Sequence, residues 1–179
     1  INETMKRIFL FLFLTLLFSG LANCQILEQD IKIDTINQRI IDIGENCNQN
    51  TPLCLSVKFN YAAVRKDANA IFEMASPDIR KSSSRSNKPV NKQIDYSKSE
   101  TLNSTILCTM NYKDSVACVI RKAGNSMICH YITCLNGKWM HAGEGITSSV
   151  EKAKELFIKD LPFRLNRLKK IKILDTVST

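Results

Sequence analysis

Six of the seven cysteines, all but Cys24, and both histidines are the side chains of this 179-residue sequence best suited to chemistry. Cys47, Cys54, Cys108, Cys118, Cys129 and Cys134 make an even set, which in an oxidising compartment reads as up to three disulfides among 15 pairings. Cys47 and Cys54 enclose the turn-rich Asn-Gln-Asn-Thr-Pro-Leu and form the most local candidate. No metal site is expected. His130 and His141 are too few for an all-histidine site, and intervals of 9, 10 and 4 residues between the later cysteines lack a CxxC clamp. Cys129 and His130 sit side by side like a nucleophile and its base. Adjacent strand residues point to opposite faces, however, so they cannot form a dyad there. The candidates for acid–base chemistry are therefore His130, His141 and Glu144, the last two near Gly143 and Gly145, where a bulge could join them. Phosphate-loop, nucleophile-elbow and paired-histidine motifs are missing, and no cofactor is expected.

The elements that must position these residues can be read from periodicity. Residues 26–45 combine alternation with Ile36, Ile40 and Ile43 at helical spacing, which predicts a helix closing near Gly44. Thr51-Pro52 reads as an N-cap with proline at the first helical position. A long helix is expected over 52–75, striped by Leu55, Phe59, Ala62, Ala63, Ile71, Phe72 and Ala75 and stopped at Ser76-Pro77. Residues 80–100 read as a long basic loop. The period then falls to two over 102–110, 115–122, 126–135 and 138–146, with Asn136-Gly137 as the strongest hairpin signal. A meander of four antiparallel strands follows, with Cys108 expected opposite Cys118 and Cys118 opposite Cys129, and Cys134 on the other face. Ser148-Ser149-Val150-Glu151 opens a C-terminal amphipathic helix, interrupted at Asp160-Leu161-Pro162 and continued by Leu165, Leu168 and Ile171.

The N-terminal end reads as an address. Lys6-Arg7 precede an uncharged, mostly apolar run of 11 residues and a small-residue tract, the layout of a secretory leader over 1–24. Met5 is the natural initiator. Leu21-Ala22-Asn23-Cys24 resembles a lipoprotein box, making Cys24 a lipidation candidate, although Asn23 departs from the small residue normal there; cleavage after Ala22 or Cys24 is the alternative. Residues 25–179 then form one α+β domain, exported to a periplasm, to an outer-membrane anchorage or outside the cell. Loss of the leader takes Lys6, Arg7 and Glu3, lowering the net charge from +8 to +7, and takes half of the eight phenylalanines.

The remaining positive charge gathers in two acid-free clusters. Arg80, Lys81, Arg85, Lys88 and Lys92 form one; Arg164, Arg167, Lys169, Lys170 and Lys172 form the other. Neither has the interleaved aromatics that stack on bases, so nucleic acid is disfavoured. An anionic membrane surface or envelope polymer fits better. Asn103-Ser104-Thr105 is an acceptor triplet for N-glycosylation in a eukaryotic secretory pathway.

The order of a helix carrying Tyr61-Ala62-Ala63-Val64-Arg65-Lys66-Asp67-Ala68-Asn69-Ala70-Ile71-Phe72-Glu73-Met74-Ala75-Ser76-Pro77, then strands, then Asn136-Gly137-Lys138-Trp139, resembles exported proteins of the nuclear transport factor 2-like superfamily over about 52–146. The resemblance implies a cone-shaped α+β fold, a curved sheet wrapping the long helix with a pocket at the open end. Its members include isomerases, dehydratases and non-catalytic envelope proteins. The basic loop and the helix after the sheet depart from that pattern, and its acid–base pair does not map onto this chain. The functional expectation is a small exported domain binding an unknown ligand or protein partner without catalysis. The alternatives are a pocket enzyme of isomerase or dehydratase type, and a disulfide-stapled secreted interaction protein or effector.

Overall fold

The computed structural model of the chain describes residues 28–47, 49–86 and 98–177. The expected leader, Cys24, Lys88 and Lys92 lie outside the described residues. The architecture is α+β, built on a five-stranded antiparallel sheet in the order β1-β2-β3-β4-β5. The strands are β1 (Ile31–Arg39), β2 (Thr105–Tyr112), β3 (Val116–Ala123), β4 (Ser126–Leu135) and β5 (Lys138–Thr147).

The four-strand meander is present and gains a fifth strand where a helix was expected. Residues 31–39 pair with β2, Ile31 against Tyr112 and Ile33 against Met110, so the alternation of this segment prevails over its helical spacing. Beyond β1 only α1 (Ile40–Ile43) is helical up to Gly44, which closes it at φ 78° and whose N–H bonds to the Ile40 carbonyl. The expected 52–75 helix is two helices, α2 (Pro52–Arg65) and α3 (Ala68–Met74). Lys66 adopts a left-handed conformation and ends α2, while the Asp67 carboxylate accepts from Ala70 N–H and opens α3. The Thr51 cap is as read, its hydroxyl accepting from Cys54 N–H at 3.2 Å.

Residues 80–100 are not one loop. Pro77 starts a new helix, α4 (Pro77–Ser86), and α5 (Lys98–Asn103) leads into β2. The final helix, α6 (Val150–Val177), runs unbroken through Pro162. Its cap is Ser149, one residue later than the capping-box reading places it. Pro162 sits on the exposed side of α6, so the missing hydrogen bond faces water, while Leu161 and Leu168 hold both halves on the sheet.

The sheet is covered on both faces. Ala153, Phe157, Leu161, Leu168 and Ile171 of α6 pack against Met110, Tyr112, Cys118, Ile120 and Tyr131. On the other face, Ile40 and Val57, with the partly buried Leu102, pack against Ile106, Ala117, Val119, Ile132 and Trp139. Each fully buried large side chain, such as Phe157, contributes about 2–3 kcal/mol of transfer free energy. A bulge between Ile106 and Cys108 explains why these two β2 residues, expected on one face, serve opposite cores.

Candidate functional site

The two histidines meet. His130 on β4 and His141 on β5 are not direct partners in the ladder: Glu144 stands opposite His130, and His141 opposite Ile132. A bulge that leaves Ala142 unpaired, with Gly143 at φ 130°, places both rings on the α2 side. There His130 Nε2 lies 2.7 Å from His141 Nδ1, and His130 Nδ1 lies 2.9 Å from the Ser56 hydroxyl of α2. Phe59 stacks on His141 with centroids 4.3 Å apart and covers His130 at a tilt. Asn60 donates to the Ser56 carbonyl at 2.7 Å.

Sequence reasoning missed Ser56 and Asn60. Two polar residues four apart on the inward stripe of an apolar helix were the available signal. Glu144, grouped with the histidines from its spacing, is partly exposed on the edge strand, and the bonds of the histidine chain run to Ser56 instead.

This chain is arranged like a nucleophile with a relay, but its setting opposes that role. Ser56, His130 and His141 are each no more than 2% exposed. Burial pushes His130 well below the ordinary imidazole value, helped by His141 and the Arg121 guanidinium. Burial also pushes His141 down to about 4, with Arg167 adding to the effect. Both rings are neutral near pH 7, so the protons run in one of two directions. Only if Ser56 donates to His130 does the serine have a base; in the reverse tautomer it accepts. None of the three side chains lines any of the clefts described below.

On the α6 side lie three of the other cysteines. The register sets Cys108 opposite Ile120, Cys118 opposite Tyr131 and Cys129 opposite Ile120. The expected cysteine pairings are therefore displaced by two residues, and Cys118 is diagonal to both Cys108 and Cys129. Diagonal strand neighbours stand roughly 7–8 Å apart, beyond the span of a relaxed disulfide. Cys108, Cys118, Cys129 and Cys134 accordingly stay as thiols, and Cys47–Cys54 is the disulfide, with a Cα separation of 5.4 Å. Burial raises the Cys118 thiol, whereas the hydrogen bond it gives Cys129 lowers the latter. Cys134 faces away from this trio, as its odd spacing from Cys129 requires.

The expected basic clusters divide by orientation. Arg80 turns inward, donating to the carbonyls of Ala75 at 2.8 Å and Glu73 at 2.6 Å, with its guanidinium over Phe72. Lys81 is exposed on α4, and Arg85 lies on the same helix. The Arg164 guanidinium lies over Tyr131, 3.5 Å from the ring centre, and Arg167 is hydrogen-bonded to Asp78. These two arginines line a small cleft of about 20 Å³ with Ser76, Asp78, Leu168 and Ile171. By contrast Lys159, Lys169 and Lys170 are exposed on α6, as are Phe163 at 70% and Ile173 at 62%. Larger open grooves lie beside the α2 start, lined by Asn50, Cys134 and Trp139, and beside Arg121 and Lys122.

No protein-family model, curated protein or solved structure matches this chain. Among the described residues no cluster of three or more His, Cys, Asp or Glu could hold a metal ion, and no helix is long and apolar enough to cross a membrane.

Proposed function

We propose that the chain is an exported, non-catalytic domain that docks on an anionic lipid surface through the outer face of α6. The observation that carries this reading is the composition of that face. Phe163 and Ile173 are large apolar side chains left in water, and they stand among Lys159, Lys169 and Lys170. Wound at 100° per residue, Lys159, Phe163, Lys170 and Ile173 fall within one quadrant, directed away from the buried Phe157–Leu161–Leu168 stripe. Apolar residues flanked by lysines suit an interface where acyl chains meet anionic headgroups. The Cys47–Cys54 disulfide is compatible with an oxidising, exported environment. The resemblance to exported nuclear transport factor 2-like proteins, some of which are non-catalytic envelope proteins, supports it.

An enzymatic reading has one observation in its favour, the Ser56–His130–His141 chain. Its burial opposes that role, none of its side chains lines a described cleft, and the docking reading is preferred.

Co-sedimentation with vesicles tests it. Each lysine close to an anionic surface contributes about 1 kcal/mol, so Lys169→Gln with Lys170→Gln should weaken binding about 30-fold. Phe163→Ser should weaken it further with no loss of fold, because that ring packs on nothing in the core. Equal binding by all variants would exclude α6 as the docking face.

A further inference from the structure

The triplet Asn103-Ser104-Thr105 is the one acceptor sequence of its kind between residues 28 and 177. The fold places it at the junction of two elements. Asn103 is the last residue of α5, exposed to solvent, and Thr105 is the first residue of β2. Ser104 between them is buried, its hydroxyl donating to the Thr101 carbonyl at 2.6 Å. Its N–H also bonds to Thr101, and its carbonyl accepts from Ile40 N–H at 3.1 Å. The turn is thereby tied to α1 while the asparagine is left on the outside.

We propose that Asn103 carries an N-linked glycan. In the modification, Asn103 Nδ2 forms a bond to the anomeric carbon of a polyprenyl-pyrophosphate-linked oligosaccharide. The bond from that carbon to the pyrophosphate oxygen breaks, and the lipid pyrophosphate leaves as the amide nitrogen gives up one proton. An extended acceptor segment is required, and the Ser104 backbone is committed to α5 and α1 once folded. The sugar is therefore added before this junction closes, and afterwards projects from it without displacing core side chains.

The position also suits the docking reading, although it does not depend on it. α5 packs with α1 and α2 on the sheet face opposite α6. Along the sheet, Asn103 and its cleft lie at the end bearing the β3–β4 turn, with Arg121 and Gly124. Phe163 and Ile173 lie on the other face, toward the opposite end, because α6 runs back from Thr147 to reach Val116 near Ile171. A glycan on Asn103 leaves the lysine-rich face of α6 clear.

This inference rests on export through a secretory pathway, and the experiment separates the two. The full chain is expressed in a eukaryotic secretory host, once with its own leader and once behind a second, proven leader. Secreted protein is digested with peptide-N-glycosidase in oxygen-18 water and measured by mass spectrometry. The expected result is loss of one glycan mass with Asn103 converted to oxygen-18-labelled aspartate. Asn103→Gln and Thr105→Ala should each abolish the glycan, and Thr105→Ser should keep it. Glycosylation seen only behind the second leader supports the site and removes the export reading. Secreted, folded wild-type protein with unmodified Asn103 overturns the site whatever leader carried it.

Discussion

The buried histidines give the clearest residue-scale consequence. His130 and His141 have depressed values in the folded chain, so they take up protons more readily once unfolded, where an imidazole titrates near 6.5. Their contribution to stability is complete above that value and is lost as the pH falls through the folded values. For His141 the window runs from about 6.5 down to about 4, and the loss is about 3 kcal/mol. Denaturant melts at pH 7.5, 5.5 and 4 should show midpoints falling steadily, and the His141 ring resonance should titrate near 4. A ring that titrates at the ordinary value would contradict the buried, neutral chain. The thiols make a second test. Iodoacetamide should reach the half-buried Cys134 first in native protein. Cys108, Cys118 and Cys129 should react only after unfolding, so that unreduced, unfolded protein is alkylated at these three and Cys134 but not at Cys47 or Cys54. At this scale the sequence was informative about type and not about place. The parity of β4 correctly separated Cys129 from His130, but the meeting of His130 with His141 depends on a bulge at Ala142. Likewise the turns close at Tyr112–Val116 and Ala123–Ser126 rather than where the loop lengths were read, which moves the cysteines from opposite to diagonal.

At the scale of elements, local chemistry was legible where it is self-contained. Thr51-Pro52, the Asn136-Gly137 turn with φ 50° and 76°, and the alternation of β3 and β4 each satisfy their own backbone requirements. Legibility failed where a neighbour decides. Residues 31–39 carry both periods, and β2 offers the ladder that makes them a strand. Pro162 is a helix breaker by itself, yet α6 continues because its inner stripe is pinned to the sheet. Leu161→Ala should therefore cost about 2–5 kcal/mol in a denaturant melt, as a large, fully buried side chain immediately before the proline. Pro162→Ala should instead stabilise the protein, since it restores an N–H at an exposed position. A destabilised Pro162→Ala variant would mean that the ring itself is packed. Reduction of Cys47–Cys54, which closes a short loop at the start of α2, should cost about 2 kcal/mol.

For the whole molecule, the division of positive charge matters more than its sum. Of the cations expected to form an outward basic surface, Arg80, Arg164 and Arg167 are held against carbonyls, an aromatic ring or a carboxylate of the protein itself. The lysines of α6 stay in water beside Phe163 and Ile173. Composition had placed all of them in one class because side-chain direction is a property of helix phase and of the sheet beneath. The α6 stripe could have been the membrane-facing side. It is buried on the sheet, and the face turned to solvent is the lysine-rich one. The most direct measurement is binding of the intact chain to vesicles of phosphatidylcholine alone and of phosphatidylcholine with 30% phosphatidylserine, a mixture chosen to be anionic, at low and high salt. Docking through α6 predicts retention on the anionic vesicles only, falling steeply as salt screens the lysines. Equal retention on both vesicles, or none on either at low salt, would contradict it.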